Sequence, residues 1–358
     1  MATPVHAELA TPLPVFDDPR AWYGPQWATR LDWQHALSPS ELDELDAAVE
    51  AAIAREADLV NVNERDVPLP TFGPVLASIR REILHGRGFV LIRGWPSATR
   101  SMLQNAWAFR IVGAHLGDAL SQNGKGHVLG HVVNLGLDYA DPTTRGYQTA
   151  AELRFHTDAG DAVGLLCIRG ARSGGLSRIA SSTTVWNEMV RRRPDLARAL
   201  SEPFHFSRWG EVGAGQKSWF PMPLFQAYGG RMIAFFVMSA IEKAQAFPDV
   251  PRLTDLQREA LSMVNEIAGE PGVRLDMDFR PGDMQFVCNH SVLHSRTAYE
   301  DWPEVTARRH LLRLWVSSVE GPALPESYTR DFQGRTATGR PDGIRVPGVP
   351  LIAPLVPA

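Results

Sequence analysis

Apolar residues recur at the spacing of an amphipathic helix in several stretches of the chain. The clearest stretch begins at Ser38, where a serine N-cap, Pro39 in the first turn and Glu41 at the capping-box position precede the apolar residues. Thr254 and Gln257 form a second capping box. The pattern predicts helices over residues 38–57, 75–84, 100–116, 184–192 and 254–268.

After Val128 the pattern changes to short apolar runs separated by glycine and proline, which are typical of buried strands. The predicted strands in this part cover residues 131–135, 163–168, 177–181, 231–237, 273–277, 284–288 and 309–316, and one earlier strand is predicted at residues 89–92. Many short strands with helices around them favour a mainly β fold of the α+β class, a sandwich or jelly roll, over alternating βαβ units.

We expect a single domain in three parts. Residues 1–87 would form an N-terminal arm and helices, residues 88–320 a β core with helical insertions, and residues 321–358 an irregular C-terminal tail rich in proline and glycine. The arm contains Trp22 and Trp27, which would serve either a homo-oligomer contact or packing within the chain. The sequence therefore leaves the oligomeric state open.

The composition narrows the range of partners. Of the 358 residues, 44% are apolar and 21% are charged, as in ordinary globular proteins. Lysine and arginine number 36 against 40 aspartates and glutamates, a net charge of −4 with no long basic stretch, so we expect no nucleic-acid partner. No apolar run is long enough to span a membrane, and the N-terminal residues lack the pattern of a secretory signal. A small molecule is the expected partner.

Cysteine usage indicates a reducing compartment. Cys167 and Cys288 are too few for a disulfide scaffold or a thiolate metal site, and each lies in an apolar run that is typical of a buried strand. We therefore expect a cytoplasmic protein.

His156 and Asp158 are separated by one residue. Residues two apart in an extended chain point the same way, so an imidazole and a carboxylate would be directed at one point. Such a triplet also arises often by chance, and a histidine beside a strand usually has a structural role.

A second segment adds two histidines after a predicted strand, His290 and His294. Two histidines and one carboxylate, with coordination positions left open, form the facial triad that suits non-haem Fe(II) oxygenases. The residues alone do not decide which of the two histidines completes the triad.

The predicted strand at 309–316 contains two arginines on one face, Arg309 and Arg313, with Leu311 between them. Burial of two guanidiniums is costly without anionic partners, and a planar guanidinium suits bidentate carboxylate binding. A dicarboxylate ligand would pair with both guanidiniums. The alternative is that each arginine forms a salt bridge with an aspartate or glutamate of the same chain.

Other polar and aromatic residues fall in segments that would reach the same cavity, although each also has a structural interpretation. They are Gln148, Arg154, Asp161, Trp209, Trp219, Phe220 and Arg296. His127 and His131 have the spacing of zinc ligands on a helix, but the apolar residues around them predict a strand, so we interpret His131 as structural.

In these ordered motifs the chain resembles the Fe(II)/2-oxoglutarate-dependent dioxygenases of the taurine dioxygenase (TauD/TfdA) and clavaminate synthase-like group. The resemblance covers roughly residues 88–316 and is carried by HTD at 156–158, SGGLSRIASS at 173–182, PGDMQFVCNHSVLHSRTAYED at 281–301 and RRHLLRLW at 308–315. It implies a double-stranded β-helix, or jelly roll.

The resemblance also implies site residues. His156, Asp158 and His294 correspond to the iron ligands, because the family's distal histidine ends an N-x-x-x-x-H stretch, here Asn289 to His294. His290 then becomes structural.

Arg309 corresponds to the arginine that holds the distal carboxylate of 2-oxoglutarate, and Ser177 to the hydroxyl that contacts the same carboxylate. Arg313, further along the same face, would touch co-substrate or substrate. The loop at 299–305 is longer than in the taurine enzyme, which leaves the choice between Arg309 and Arg313 open.

The chemistry implied by the resemblance needs Fe(II), 2-oxoglutarate and O2, and yields succinate, CO2 and an oxidised substrate, most simply an alcohol. Related halogenases carry a small residue at the position of Asp158, so the aspartate favours hydroxylation. Desaturation or ring closure would use the same ligands.

Two other functions fit part of the pattern. A non-catalytic jelly-roll protein that senses metal or has a structural role would keep the triad, but it needs neither Arg309 nor Ser177. A zinc hydrolase would need a general base, which is not evident, and would leave the arginines unexplained.

Overall fold

The computed structural model describes residues 12–138, 144–332 and 334–357, so the start of the predicted N-terminal arm, residues 1–11, lies outside it. The helices are α1 Pro25–Ala28, α2 Pro39–Ala54, α3 Gly73–His85, α4 Met102–Ala114, α5 Ser182–Arg192, α6 Pro194–Leu200, α7 Met238–Ala244 and α8 Asp255–Gly269, and a short π-helical turn covers Tyr328–Phe332.

The strands are β1 Gln34–Ala36, β2 Phe89–Arg93, β3 Asp118–Ala119, β4 Gly130–Val133, β5 Leu153–His156, β6 Ala162–Arg169, β7 Ser173–Gly174, β8 Ser177–Ser181, β9 Pro203–Ser207, β10 Trp219–Pro223, β11 Phe225–Tyr228, β12 Arg231–Ala234, β13 Leu275–Met277, β14 Met284–Cys288, β15 Val292–Arg296, β16 Tyr299–Glu300 and β17 His310–Ser317.

Two sheets form the centre of the molecule. The larger has the order β1-β2-β14-β6-β17-β3, with β4 also paired to β17, and the smaller has the order β13-β8-β15-β5. Their facing sides share one apolar cluster, to which β2, β6 and β14 contribute from one sheet and β8, β13 and β15 from the other. This is the predicted jelly-roll arrangement of the α+β class.

Helices cover the outer faces of both sheets. α2, α3 and α4 pack with the larger sheet in one hydrophobic cluster, and α5, α6 and α8 pack with the smaller sheet in another. None of the described helices is long and apolar enough to cross a membrane.

Helix starts follow the predicted capping signals. The Ser38 hydroxyl accepts a hydrogen bond from the Glu41 amide at 3.3 Å, and the Glu41 carboxylate accepts one from the Ser38 amide at 2.8 Å. Thr254 and Gln257 form the same reciprocal pair at the start of α8.

Several boundaries and elements differ from the prediction. The strand predicted at 231–237 ends at Ala234, the one at 131–135 covers Gly130–Val133, and the one at 273–277 begins at Leu275. The helices α1, α6 and α7 and the strands β1, β3, β5, β7, β9, β10, β11, β15 and β16 were not predicted.

The described part of the N-terminal arm packs on its own chain. Trp22 is 3% exposed, and its indole Nε1–H donates to the Arg87 carbonyl at 2.8 Å. Its ring lies 4.9 Å from the ring of Phe89, and the ring of Trp27 lies 5.6 Å from the ring of Phe89. Of the two roles considered for these tryptophans, the structure shows packing within the chain.

Candidate metal centre and co-substrate site

Strand pairing brings His156 and His294 together. They are register partners on the antiparallel strands β5 and β15, so both side chains lie on the same face of the smaller sheet, and their ring centroids are 4.2 Å apart. Asp158 follows β5 by two residues, and its Oδ2 lies 3.7 Å from His294 Nε2. One ligand atom from each of the three residues lies within 4.8 Å of the others.

Both imidazoles are held in the neutral form that binds metal. Burial lowers the pKa of His156, and burial together with the neighbouring His156 lowers the pKa of His294 to about 3. The Nδ1–H of His156 donates to the Arg154 carbonyl at 2.9 Å, which leaves the Nε2 lone pair available to a metal.

Asp158 is held as a carboxylate. Burial alone would raise its pKa, but the positive charge of Arg313 is the largest opposing influence, and the pKa lies below its ordinary value. Arg313 Nη1 is 3.5 Å from Asp158 Oδ2.

Asn289 fixes the loop that carries Asp158. Its Oδ1 accepts a hydrogen bond from the Asp158 amide at 3.1 Å, and its Nδ2 donates to the Ala159 carbonyl at 3.0 Å. The N-x-x-x-x-H motif, which begins at Asn289, contains the signal for this role, but its residues alone do not predict the contact with the Asp158 amide.

His290, the alternative to His294, lies elsewhere. Its Nε2 is 2.9 Å from Oδ1 of Asp161, a carboxylate that also pairs with Arg340 and accepts from the Ser318 amide at 2.9 Å. The structure therefore brings His294, and not His290, to His156 and Asp158.

Arg309, immediately before β17, and Arg313, within β17, face His156, Asp158 and His294 from the larger sheet. Arg309, Leu311 and Arg313 line the same cavity as the triad, as their alternation along the strand predicted. Arg309 is 5% exposed, and its Nη1 has no hydrogen-bond partner in the described part of the chain.

Arg313 has more contacts than Arg309. Its Nε donates to Gln122 Oε1 at 2.7 Å, and its guanidinium lies 4.7 Å from the ring of Tyr147 and 5.0 Å from that of Trp315. Because fewer of its hydrogen-bond donors have partners among the described residues, Arg309 is the better candidate to bind an anion.

Ser177 enters the cavity from β8, opposite Arg296 on β15. The preceding glycines, Gly174 and Gly175, have φ of +72° and +71°, which glycine adopts without strain. A Cβ on Gly175 would lie 3.1 Å from Arg309 Nε. The glycine pair therefore lets the chain pass close beside this arginine.

A cavity of about 170 Å³ lies between the sheets. Its lining includes the three residues of the triad and the three candidate anion contacts, which are His156, Asp158, His294, Ser177, Arg309 and Arg313. Of the residues considered from sequence as further lining, Arg154, Trp209, Phe220 and Arg296 do line it. Gln148, Asp161 and Trp219 were wrong as lining residues, since Gln148 caps a turn at Arg145, Asp161 binds His290, and the Trp219 indole donates to Asp249.

His131 has the structural role that was predicted for it. Its Nδ1 is 2.7 Å from His310 Nε2, and its Nε2 is 2.8 Å from the Pro354 carbonyl. His127 and His131 do not meet in a metal-binding group among the described residues.

The donor set fits the group that the sequence predicted. Two neutral imidazoles and one carboxylate on one side of the cavity are the ligand types that a facial-triad Fe(II) site uses. The buried Arg309 nitrogen that lacks a partner in the described residues fits one end of a dicarboxylate in the same cavity.

Comparison with known proteins gives a family match. Residues 54–315 match the family described as "Taurine catabolism dioxygenase TauD, TfdA family". FR-33289 synthase of Streptomyces rubellomurinus (strain ATCC 31215) is 28% identical over 324 residues, which cover 89% of this chain and 95% of that protein. The taurine hydroxylase-like protein SAT17 of Stachybotrys chartarum (strain CBS 109288 / IBT 7711) is 29% identical over 327 residues, which cover 88% and 83%.

Solved structures share the fold. An asparagine oxygenase in complex with Fe(II), hydroxyasparagine and succinate has a TM-score of 0.64 at 16% identity, covering 87% of this chain and 99% of its own. The non-haem iron oxygenase OrfP, in complex with Fe and α-ketoglutaric acid, has a TM-score of 0.58 at 17% identity, covering 80% and 94%.

Proposed function

The chain belongs to the TauD/TfdA family of Fe(II)/2-oxoglutarate-dependent dioxygenases, and we propose that His156, Asp158 and His294 bind its iron while Arg309 and Ser177 bind the distal carboxylate of 2-oxoglutarate. The enzyme uses Fe(II), 2-oxoglutarate and O2. Its reaction is hydroxylation of a C–H bond in a small organic substrate, with release of succinate and CO2.

One observation carries this assignment. His156, Asp158 and His294 share one cavity with Arg309. The guanidinium of Arg309 is buried, and its Nη1 lacks a partner in the described residues. A metal sensor or a zinc hydrolase has no use for that guanidinium, and the family match gives neither alternative support.

Fe(II), when bound, supplies the redox chemistry that couples oxidative decarboxylation of 2-oxoglutarate by O2 to oxidation of the substrate. Arg309 and Ser177 fix the distal end of the co-substrate and so orient its other end toward His156, Asp158 and His294. Asn289 holds the Asp158 loop through the Asp158 amide. Arg313, 3.5 Å from Asp158, stands where an anionic group of co-substrate or substrate would approach the metal ligands.

The wider assignments follow from the same family membership. We propose one dioxygenase domain over residues 1–358 and a small-molecule substrate. A cytoplasmic location is supported by Cys167 and Cys288, which are both free and buried.

Anaerobic titration of the apo-protein with Fe(II) and then 2-oxoglutarate tests the function. The chelate of 2-oxoglutarate on a facial-triad iron gives a weak visible charge-transfer band, which we expect at one equivalent of each. His156→Ala is the control, because loss of a histidine ligand should abolish both iron binding and the band. Iron binding by the unchanged protein without a band would favour the sensor, and tight binding of zinc alone would favour the hydrolase.

A further inference from the structure

We propose that the substrate is an organic anion with an apolar body and no ammonium group. This inference rests on the proposed function. It concerns the part of the same cavity that neither the metal ligands nor the co-substrate contacts occupy.

An aromatic wall defines the apolar side of that space. The rings of Phe206 and Phe220 lie 5.3 Å apart, Phe220 and Phe332 lie 4.7 Å apart, and Phe235 and Phe332 lie 4.6 Å apart. All four line the cavity. Three of them come from separate short segments, β9, β10 and the stretch after β12, so the wall is already assembled and needs no rearrangement to receive a hydrocarbon or aromatic group.

The charges around the cavity are unbalanced. Among the lining residues that the structure describes, Asp158 is the only carboxylate, and it is assigned to the metal. The cationic residues that line the cavity are Arg145, Arg154, Lys243, Arg296, Arg309 and Arg313.

Two of these cations are neutralised at the rim. Arg145 pairs with Glu211, and Arg154 pairs with Glu242, with Nη1 to Oε1 at 2.8 Å. Arg296, Arg309 and Arg313 are buried, and together with a divalent metal they exceed the combined charge of Asp158, a dianionic co-substrate and Asp301, the carboxylate that acts on Arg296 and Arg309. A surplus of positive charge in a low-dielectric cavity favours an anionic ligand.

An ammonium group would meet the opposite situation. It needs a carboxylate or several carbonyl oxygens when it leaves water, because contact with aromatic faces offsets only part of the cost of burying a charge. Beside Phe206, Phe220, Phe235 and Phe332 it would also lie among the positive charges just described. An α-amino acid should therefore bind much more weakly than the acid of the same carbon skeleton.

The experiment uses the anaerobic complex with Fe(II) and 2-oxoglutarate, and follows how added probes shift the charge-transfer band. The probes are phenylbutanoate, homophenylalanine, phenylbutylamine and propanoate. Relative to phenylbutanoate, homophenylalanine adds an ammonium, phenylbutylamine replaces the carboxylate with an ammonium, and propanoate lacks the aromatic body. Phenylbutanoate should shift the band at a concentration at least about tenfold lower than any of the other three. Phe220→Ala should remove this preference over propanoate, whereas Trp302→Ala, an aromatic residue that is 44% exposed and outside the cavity lining, should leave it unchanged.

Equal or stronger binding of homophenylalanine, equal binding of propanoate, or no response to phenylbutanoate would each overturn the proposed substrate class. Failure of the proposed function is distinguishable, because in that case the band does not form before any probe is added.

A separate observation concerns Arg296, which we infer to be a second guanidinium contact for the distal carboxylate of 2-oxoglutarate. Arg296 is 5% exposed and lines the cavity two residues beyond His294. Its Nη2 donates to the carbonyls of Thr149, at 3.1 Å, and Ala151. Its Nε and Nη1 are buried and have no hydrogen-bond partner in the part of the chain that the structure describes.

Neighbouring groups point to one anion. The guanidinium carbon of Arg296 lies 4.6 Å from the ring centre of Tyr299, and that of Arg309 lies 5.1 Å from the same ring. Ser177 is the register partner of Arg296 on the adjacent strand, so their side chains lie side by side. Two buried like charges beside one aromatic ring repel each other, and a carboxylate between them would satisfy the unpaired nitrogens of both.

Co-substrates that differ only at the distal end test this contact. Arg296→Gln, which keeps an amide N–H for the loop carbonyls, should weaken 2-oxoglutarate binding at least about tenfold and change 2-oxopentanoate binding, which lacks the distal carboxylate, by less than about twofold. Arg296→Lys should recover part of the loss by restoring the charge. The affinity for Fe(II) and the unfolding temperature should stay close to those of the unchanged protein.

A purely structural role for Arg296 predicts equal losses for both co-substrates together with weaker Fe(II) binding, and either that result or unchanged 2-oxoglutarate affinity would overturn the inference. Arg309→Gln serves as the reference: if it also leaves 2-oxoglutarate affinity unchanged, the carboxylate site of the proposed function fails as well.

Discussion

Arg309, one residue before β17, and Arg313, within β17, line the same cavity, yet their surroundings differ. Arg313 already contacts Gln122 and Asp158, whereas Arg309 has an Nη1 with no partner among the described residues. A charged group that is buried with unmet hydrogen bonds gains most from a ligand, since each charge-assisted bond contributes about 1.5–3 kcal/mol.

Arg309→Gln should therefore weaken 2-oxoglutarate binding by roughly 10- to 100-fold and leave Fe(II) affinity unchanged. Anaerobic titration of the charge-transfer band measures both constants. Arg313→Gln is the matched variant and should have a much smaller effect on 2-oxoglutarate. The reverse ranking of the two variants would move the carboxylate assignment to Arg313.

Gly175 offers a test of the same contact from the opposite side. Alanine there would place a Cβ 3.1 Å from Arg309 Nε and would also be strained by the φ of +71°. We expect Gly175→Ala to raise the KM for 2-oxoglutarate several-fold. Gly230→Ala separates the two effects, because Gly230 has a φ of +74° with no atom within 4 Å of its Cβ position, so it should lower stability alone. Equal KM values in the two variants would show that crowding of Arg309 is unimportant.

Single residues of the site were predictable where covalent spacing fixes direction. His156 and Asp158, or Arg309 and Arg313, are close in sequence, so an extended chain sends them the same way. The choice between His290 and His294 did not follow from local spacing. It depends on the hydrogen bond between His290 and Asp161, which lies 129 positions away. No local pattern contains that contact.

Elements were predictable to the extent that their ends carry chemical signals. α2 and α8 begin where capping boxes predicted, since both the donor and the acceptor of each box are encoded within four residues. β9 and β10 were missed because Pro203, Pro221 and Pro223 read as strand breakers. They are tolerated here because these two strands pair only with each other in the described structure, which leaves edges where a missing N–H costs nothing.

The Ser38 capping box should contribute measurably to the stability of α2. Ser38→Ala removes the side-chain acceptor of the Glu41 amide and should lower the free energy of unfolding by about 1 kcal/mol. Ser40→Ala, an exposed change in the same turn, should stay within about 0.5 kcal/mol. Urea denaturation measures both, and equal losses would indicate that the cap itself contributes little. Neither variant should change 2-oxoglutarate affinity.

At the scale of the whole molecule, the fold class followed from many short apolar runs, but the order of strands did not. β14 lies between β2 and β6, and β17 lies beside β6 and β4, pairings that join residues more than a hundred positions apart. These pairings decide that the arginines of one sheet face the histidines of the other. That relation is set by packing of the whole core, and the resemblance to a known family supplied it in advance.

The C-terminal tail is also fixed by a long-range contact. Arg340 pairs with Asp161, which is 0% exposed, and its Nη1 donates to the Pro322 carbonyl at 2.7 Å. Asp161 follows Asp158 by three residues and its carbonyl accepts from the Asn289 amide at 3.0 Å. The tail is thereby tied to the loop that carries a proposed metal ligand.

Arg340→Gln should lower the free energy of unfolding by about 3 kcal/mol, because it leaves a buried carboxylate with His290 and one backbone amide as its remaining partners. Arg345→Gln, which removes a more exposed pair with Asp342, should cost less than about 0.5 kcal/mol. Urea denaturation of the two variants at neutral pH measures the difference, and equal losses would show that the Asp161 contact does not anchor the tail.

The same pair predicts a pH dependence. Burial raises the pKa of Asp161, but hydrogen bonds from His290 and Arg340 outweigh it, so the folded-state pKa lies below the ordinary value. Its stabilisation is therefore present above the unfolded-state pKa and is lost as the pH falls through the lowered folded-state pKa. Without Arg340 the folded-state pKa rises toward the unfolded-state value, so Arg340→Gln should lose less stability than the unchanged protein as the pH falls below the unfolded-state pKa. Parallel stability–pH curves for the two proteins would mean that Arg340 does not hold Asp161 in its ionised form.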